Sequence, residues 1–132
     1  MLEIIDKLES RHEQVSFYNN IYSSKDNHWS KELNVKFDTY FLEIIVGNYR
    51  SHMSKFLEVG CGDGRFFETS YSELKRLGFS MAAIDYSPNA INIAKGRGVK
   101  VEYLCDDYFT WASKQTKKYN VIYSNGTFEH FE

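Results

Sequence analysis

Phe56-Leu57-Glu58-Val59-Gly60-Cys61-Gly62-Asp63-Gly64-Arg65-Phe66 is an apolar run that carries one carboxylate and ends in three glycines at alternate positions. The pattern predicts a buried parallel strand that hands over to a helix while its backbone stays open to a ligand. Glycine accepts positive φ and has no Cβ, so the chain can turn sharply and a ligand can approach the main chain. A helix starting near Gly64 would aim its unpaired N–H groups and positive dipole end at the same crevice. That arrangement suits a nucleoside-type cofactor. Tight turns of purely structural origin use the same residues, so the turn alone does not decide the matter. A dinucleotide fingerprint, G-x-G-x-x-G, would need glycines at 60, 62 and 65. Position 65 is Arg65, and the pattern present is E-x-G-x-G-x-G.

Three downstream segments repeat the theme of a short apolar run followed by polar residues. Ser80-Met81-Ala82-Ala83-Ile84 reads as a second buried strand with Asp85 at its carboxyl end. Asp85 falls about 20 residues past the glycine turn, where open α/β sheets place an acidic residue for a ribose. A carboxylate there can accept two hydrogen bonds from a vicinal diol. Ser87 is a good N-cap with Pro88 at N1, which would leave Asp85 uncommitted and free to serve a ligand. A third strand over residues 99–104 is followed by Cys105-Asp106-Asp107, and a fourth over 119–123 runs into Ser124-Asn125-Gly126-Thr127-Phe128-Glu129-His130-Phe131.

In their order and spacing these four segments resemble the class I S-adenosylmethionine-dependent methyltransferases. The resemblance covers roughly residues 34–132. It implies S-adenosyl-L-methionine as cofactor and S-adenosyl-L-homocysteine as product. Glu58 would organise the turn through the cofactor ammonium, and Gly60, Cys61, Gly62 and Gly64 would form the cofactor bed. Asp85, with Tyr86 beside it, would hold the ribose. An Asp after the third strand would face the adenine amino group; Asp107 matches that position by register, Asp106 stands one place early, and Tyr108 follows. A solvated loop would equally use two adjacent carboxylates. Ser124 and Asn125 would lie beside the methionine part. The family opens its fourth strand with an aromatic-Asp pair, where this chain has Tyr119-Asn120. His130 is the one catalytic base the motif offers, and a histidine at a helix start with a structural bond is the alternative.

Composition narrows the function. The chain has 132 residues, 42% hydrophobic and 17% aromatic, enough for a core in one domain of ordinary size. With 16 basic and 18 acidic residues the formal charge is −2. No polybasic stripe points to nucleic acid or an anionic membrane, which favours a small-molecule acceptor. No run has the length of a membrane span, and no signal-peptide pattern opens the chain. Cys61 and Cys105 lack a C-x-x-C partner, which reads as reduced thiols in a cytoplasmic protein. His12, His28, His52 and His130 have no metal-ligand spacing, so no metal is expected.

Residues 1–33 read as an amino-terminal helical cap or lid and 34–132 as the cofactor-binding half of the domain. Leu2, Ile5, Leu8, Val15, Tyr18 and Tyr22 recur near helical spacing. Residues 1–15 suit a helix packed on the sheet, and Tyr18, Tyr22 and Trp29 suit a lid. Aromatic faces attract a sulfonium by up to about 2 kcal/mol when desolvated. A helix over 35–49 would turn Phe37, Phe41, Ile44, Ile45 and Asn48 inward. Further helices are predicted over 65–77 with Gly78 just beyond, from Ser87 to about 95, and over 108–118 with Phe109 and Trp111 covering the sheet.

Strands alternating with helices predict a Rossmann-like, doubly wound parallel sheet in the order 3-2-1-4, with its switch point between strands 1 and 4. The resemblance ends where the family's helix after strand four begins, so the family's carboxyl-terminal strands are expected to be missing. Strand 4 would then be an apolar edge, a template for a second copy or a partner chain. Two functions remain open on this reading: methyl transfer, with or without a partner completing the domain, and an inactive or truncated cofactor-binding module acting through a partner.

Overall fold

The computed structural model describes residues 31–48 and 54–127, together with Ser16, Asn19 and Asn20, which are helical. In chain order the elements are α1 (Lys31–Asn48), β1 (Ser54–Val59), α2 (Arg65–Arg76), β2 (Phe79–Asp85), α3 (Pro88–Lys95), β3 (Glu102–Cys105), α4 (Tyr108–Ala112) and β4 (Val121–Ser124). The four strands form one parallel sheet in the order β3-β2-β1-β4. This is the predicted order: β2 and β3 are added on one side of β1 and β4 on the other, so the switch point lies between β1 and β4.

Alternation along the strands sorts the core into two layers. On one face Phe56, Met81, Ala83 and Tyr123 pack with Phe66, Phe67 and Leu74 of α2 and Ile91 of α3, and Phe41, Leu42 and Ile45 of α1 lean on them. On the other face Leu57, Val59, Ala82 and Ile84 are covered by Leu104, Tyr108, Trp111 and Tyr119. The sheet is therefore wound on both sides. Phe56 is the hub of the first layer, with Phe66 stacked at 5.8 Å and Phe67 and Phe79 edge-on at 5.8 and 5.9 Å. Such ring pairs add to the stabilisation from burial by about 0.5–1.5 kcal/mol each.

Several predicted boundaries move, each for a local reason. β3 starts at Glu102 rather than 99, because a tight turn in which Val101 N donates to Val99 O at 3.0 Å keeps those residues off the ladder. β4 starts at Val121, and Asn120 prepares it: its N–H donates to Lys55 O at 2.9 Å while its Oδ1 accepts from Lys55 N at 2.8 Å. α4 stops at Ala112 instead of reaching 118. The run Ser113-Lys114-Gln115-Thr116-Lys117-Lys118 has no apolar residue to bury, and short helices depend on burial. Trp111 covers the sheet as expected, but Phe109 is 45% exposed and Tyr108 takes its place. Among the described side chains of α1 the inward stripe is Asp38, Phe41, Leu42 and Ile45; Ile44 is exposed, and so is Asn48, which donates to Ile44 O, while the expected Phe37 side chain lies outside those described.

α2 and α3 agree with expectation. α2 ends with Leu77 as C-cap, and Gly78 follows at φ 89°. Ser87 caps α3, its hydroxyl accepting from Ala90 N, with Pro88 in the first turn. The expected cap or lid of residues 1–33 lies mostly outside the described residues, including Leu2, Ile5, Leu8, Val15, Tyr18, Tyr22 and Trp29. Asn19 is described and docks on α3: its Oδ1 accepts from Ser87 Oγ at 3.0 Å and Asn89 N at 3.1 Å.

Candidate cofactor-binding site

The carboxyl ends of β1, β2 and β4 meet around the glycine turn. Gly60 N and Cys61 N both donate to Ile84 O, at 2.8 and 3.2 Å, so the turn is tied to the end of β2. Gly64 N then donates to Cys61 O at 3.0 Å, closing the turn onto α2. Gly60, Gly62 and Gly64 all have positive φ (73°, 53° and 78°), the conformation that only glycine adopts without strain. Two of them are also required by packing. A Cβ on Gly60 would lie 2.0 Å from Thr127 Oγ1, and one on Gly64 would lie 2.9 Å from the Ala94 Cβ. The segment after β4 thus presses on the first glycine, and α3 on the third.

Asp85 is buried and joins the two halves of the site. Its Oδ2 accepts from Gly62 N and its Oδ1 from Ser87 N, both at 2.9 Å. The expectation that Ser87's capping role would leave Asp85 uncommitted is not met: the cap takes the Ser87 hydroxyl, and the Ser87 N–H goes to Asp85. A carboxylate has about four acceptor sites, more than these N–H groups occupy, so a ligand can still be accepted. Burial pushes the Asp85 carboxyl up, and the N–H groups of Ser87, Gly62 and Tyr86 oppose this.

Asp106 N donates to Asp85 O at 3.1 Å, which brings the end of β3 to the same crevice. Asp106 is exposed, and its Oδ1 accepts from Asp107 N. Asp107 is the N-cap of α4, with Oδ1 accepting from Thr110 N at 2.9 Å. Tyr108 stacks over the second core layer beside Trp111. On the other side, Ser124 pairs with Val59 across β4 and β1, and Asn125 and Gly126 follow it past the turn. Of the expected site residues, Glu58, Gly60, Cys61, Gly62, Gly64, Asp85, Tyr86, Asp106, Asp107, Tyr108, Ser124 and Asn125 all lie along the carboxyl edge of the sheet. His130 lies outside the described residues.

The site is acidic. Glu58 is 5% exposed and its Oε2 has no hydrogen-bond partner among the described residues. Burial raises its carboxyl well above the usual range, and Asp38, Asp85 and Asp63 raise it further. Asp38, 6% exposed on α1, is pushed up to about 6 by burial against the lowering pull of Arg65. The Cys61 thiol is raised by burial and by Glu58 and Asp85, which keeps it an unreactive floor to the turn. Among the described residues, no set of three or more His, Cys, Asp and Glu is arranged to hold a metal ion.

Of Glu58, Asp63 and Asp85, only Asp63 has its charge met by cations of the described residues. Arg65 Nη2 approaches it at 3.4 Å and Arg97 Nη2 at 3.2 Å. Arg97 reaches over from the loop after α3, also donating to Asp63 O at 2.6 Å and Glu68 Oε2 at 2.8 Å. Sequence reasoning missed Asp38, Tyr123 and Arg97. Asp38 had a signal, because it precedes Phe41 and Ile45 by three and seven residues on one helical stripe. Arg97 had none beyond its place between two glycines.

A family model described as a methyltransferase domain matches residues 12–132. No curated protein matches the chain. Among solved structures, the plantazolicin methyltransferase BpumL, in complex with a pentazolic desmethylPZN analog and SAH, is 24% identical. Its TM-score is 0.58, over 92% of this chain and 49% of that one. The magnesium protoporphyrin IX methyltransferase ChlM from Synechocystis PCC 6803, with bound SAH, is 15% identical with a TM-score of 0.53, over 72% of this chain and 43% of that one. A Methanococcus maripaludis protein assigned as an S-adenosyl-L-methionine-dependent methyltransferase is 15% identical with a TM-score of 0.58, over 89% of this chain and 51% of that one. The likeness is one of fold, the Rossmann-like parallel sheet. The chain spans about half the length of these structures.

Proposed function

Since this chain belongs to the methyltransferase-domain family, we propose that it is a class I S-adenosylmethionine-dependent methyltransferase whose glycine turn binds S-adenosyl-L-methionine for methyl transfer to a small-molecule acceptor. The observation that carries the reading is the charge of the crevice. Glu58 and Asp85 are buried beside the turn, and neither forms an ion pair with a described residue. Such a site favours a ligand that brings positive charge, as the sulfonium and ammonium of this cofactor do. The pyrophosphate of a dinucleotide would meet repulsion there.

On this reading Glu58 faces the ammonium, and Asp85 accepts from the ribose diol with its remaining lone pairs. Gly60, Cys61, Gly62 and Gly64 line the bed, with Tyr86 flanking the ribose. Asp106, Asp107 and Tyr108 border the adenine. Asp107 spends one oxygen on its helix cap, whereas Asp106 is the more exposed of the two. Ser124 and Asn125 adjoin the methionine part. The bound cofactor would supply an activated methyl group. The protein's share is to orient it and exclude water, effects worth up to about 7–11 kcal/mol in well-placed reactants.

A second reading is a cofactor-binding module that acts only with a partner. It is favoured by β4, an edge strand of the described sheet whose Ile122 is 53% exposed. A second copy or a partner chain would pair along that edge. No described helix is long and apolar enough to cross a membrane. We also propose a cytoplasmic setting, supported by the free thiols of Cys61 and Cys105.

Calorimetric titration with S-adenosylhomocysteine tests the reading, with NADH as the competing ligand. Binding of the first and not the second is expected, and it should vanish in Asp85→Ala. Binding of NADH alone would overturn the proposal. Methyl transfer to any acceptor by the isolated chain would exclude the partner-dependent module.

A further inference from the structure

Glu58 and Tyr123 face each other across β1 and β4. Both side chains lie on the sheet face covered by α1 and α2, since Glu58 shares the parity of Phe56. Glu58 Oε2 is buried with no hydrogen-bond partner among the described residues, while the Tyr123 hydroxyl is turned to Asn125. The Tyr123 ring is fixed by Phe66, stacked at 4.3 Å, and by Phe41 of α1, edge-on at 5.4 Å. One turn before Phe41, α1 carries Asp38, also buried. Two carboxylates in one low-dielectric space cannot both stay charged without a cation or a proton.

We propose that Asp38 and Glu58, both buried on the sheet face that α1 covers, hold one proton between them in the ligand-free protein and release it to solvent when the cofactor's ammonium group takes its place. The inference rests on the cofactor reading above and adds a residue and a proton to it. No bond of the cofactor changes; one proton passes to the buffer and one cationic group replaces it. The charged and titratable groups around the pair support this assignment. Cys61 and Asp63 face it from the turn, Asp85 from β2, Tyr103 from β3, Tyr123 from β4 and Arg65 from α2. Among the described residues that face the pair, Arg65 is the one cation, and it is shared with Asp63. Asp85 already accepts two backbone N–H groups, which favour its charged form. The proton therefore belongs to the Asp38–Glu58 pair.

The test is calorimetry of the 132-residue chain in buffers of different ionisation enthalpy, which counts protons released on binding. S-adenosylhomocysteine is compared with methylthioadenosine, which has the nucleoside and thioether but lacks the amino-acid tail and its ammonium. Near neutral pH the first should release close to one proton and the second none. The affinity of the first alone should rise with pH, by up to about tenfold per pH unit. Asp38→Asn should cut the release by at least about half and flatten the pH dependence. Equal release with both ligands, or none with either, would overturn the pair. Failure of S-adenosylhomocysteine to bind would overturn the cofactor reading with it. If Asp38→Asn does not fold, the two-ligand comparison on the unaltered chain still decides.

Discussion

The Gly62 N–H donates to Asp85 Oδ2 at 2.9 Å, so the carboxylate that ends β2 braces the turn that ends β1. Asp85 thereby serves the fold before it serves any ligand. Asp85→Ala leaves two buried N–H groups, of Gly62 and Ser87, without their acceptor. A loss of about 1–3 kcal/mol of stability is expected, together with loss of S-adenosylhomocysteine binding. Urea denaturation beside the titration separates the two effects. An unchanged denaturation midpoint would show that the brace contributes nothing.

Gly60 and Gly98 form a matched pair for testing what the turn requires. Both have positive φ, 73° and 74°, but a Cβ on Gly98 meets nothing within 4 Å, whereas one on Gly60 meets Thr127. Gly98→Ala should cost about 1–2 kcal/mol, the left-handed penalty alone. Gly60→Ala should cost a further 1–3 kcal/mol or so from overpacking, and part of that should return in a Gly60→Ala, Thr127→Gly double variant. Equal costs for the two alanines would refute the close approach of Thr127.

Buried carboxyls make stability depend on pH with a definite sign. Asp38 titrates at about 6 in the folded chain against an ordinary value of 3.8, so the folded state binds the proton more tightly. Its stabilising contribution is complete below 3.8 and is lost as pH rises through about 6. Glu58 is shifted in the same direction and carries the loss to higher pH. The Asp38 contribution is on the order of 1–3 kcal/mol. Thermal melts of the wild type minus those of Asp38→Asn isolate it from opposing groups such as Glu73, which Arg76 lowers. A difference that grows with rising pH would contradict this assignment.

Arg97 holds the glycine turn from outside through Asp63 O, the Asp63 carboxylate and Glu68. Arg97→Ala should weaken S-adenosylhomocysteine binding several-fold and cost about 1–3 kcal/mol, because the buried Asp63 loses its closer cation. Arg97→Lys cannot reproduce the three-way fork and should recover only part of either loss. Full recovery with lysine would reduce Arg97 to a point charge.

If the β4 edge is where a second copy pairs, Ile122→Lys should abolish association, since a charge on an edge strand blocks pairing. Sedimentation at high concentration reads this directly. A wild-type chain that stays monomeric at all concentrations would remove self-association from consideration.

Much of this was legible in residue order. E-x-G-x-G-x-G, Asp85 at the end of an apolar run, and Ser87-Pro88 each carry a local stereochemical meaning, so turn, strand end and cap could be read in place. Element ends were less legible. β3 loses residues 99–101 to a local turn, and α4 loses its second half for want of apolar side chains. Neither event has a periodic signature.

What the sequence determined by itself was the order of the elements, the positive-φ turn and which carboxylates close the strands, because these follow from backbone stereochemistry and short-range pattern. Only the tertiary structure decided that Asp38 of α1 lies buried with Glu58, that Arg97 clasps Asp63, and that Thr127 rests on Gly60. Those pairs join residues 20, 34 and 67 positions apart. Their meeting depends on how helices seat on a closed-packed sheet, and no local rule encodes that.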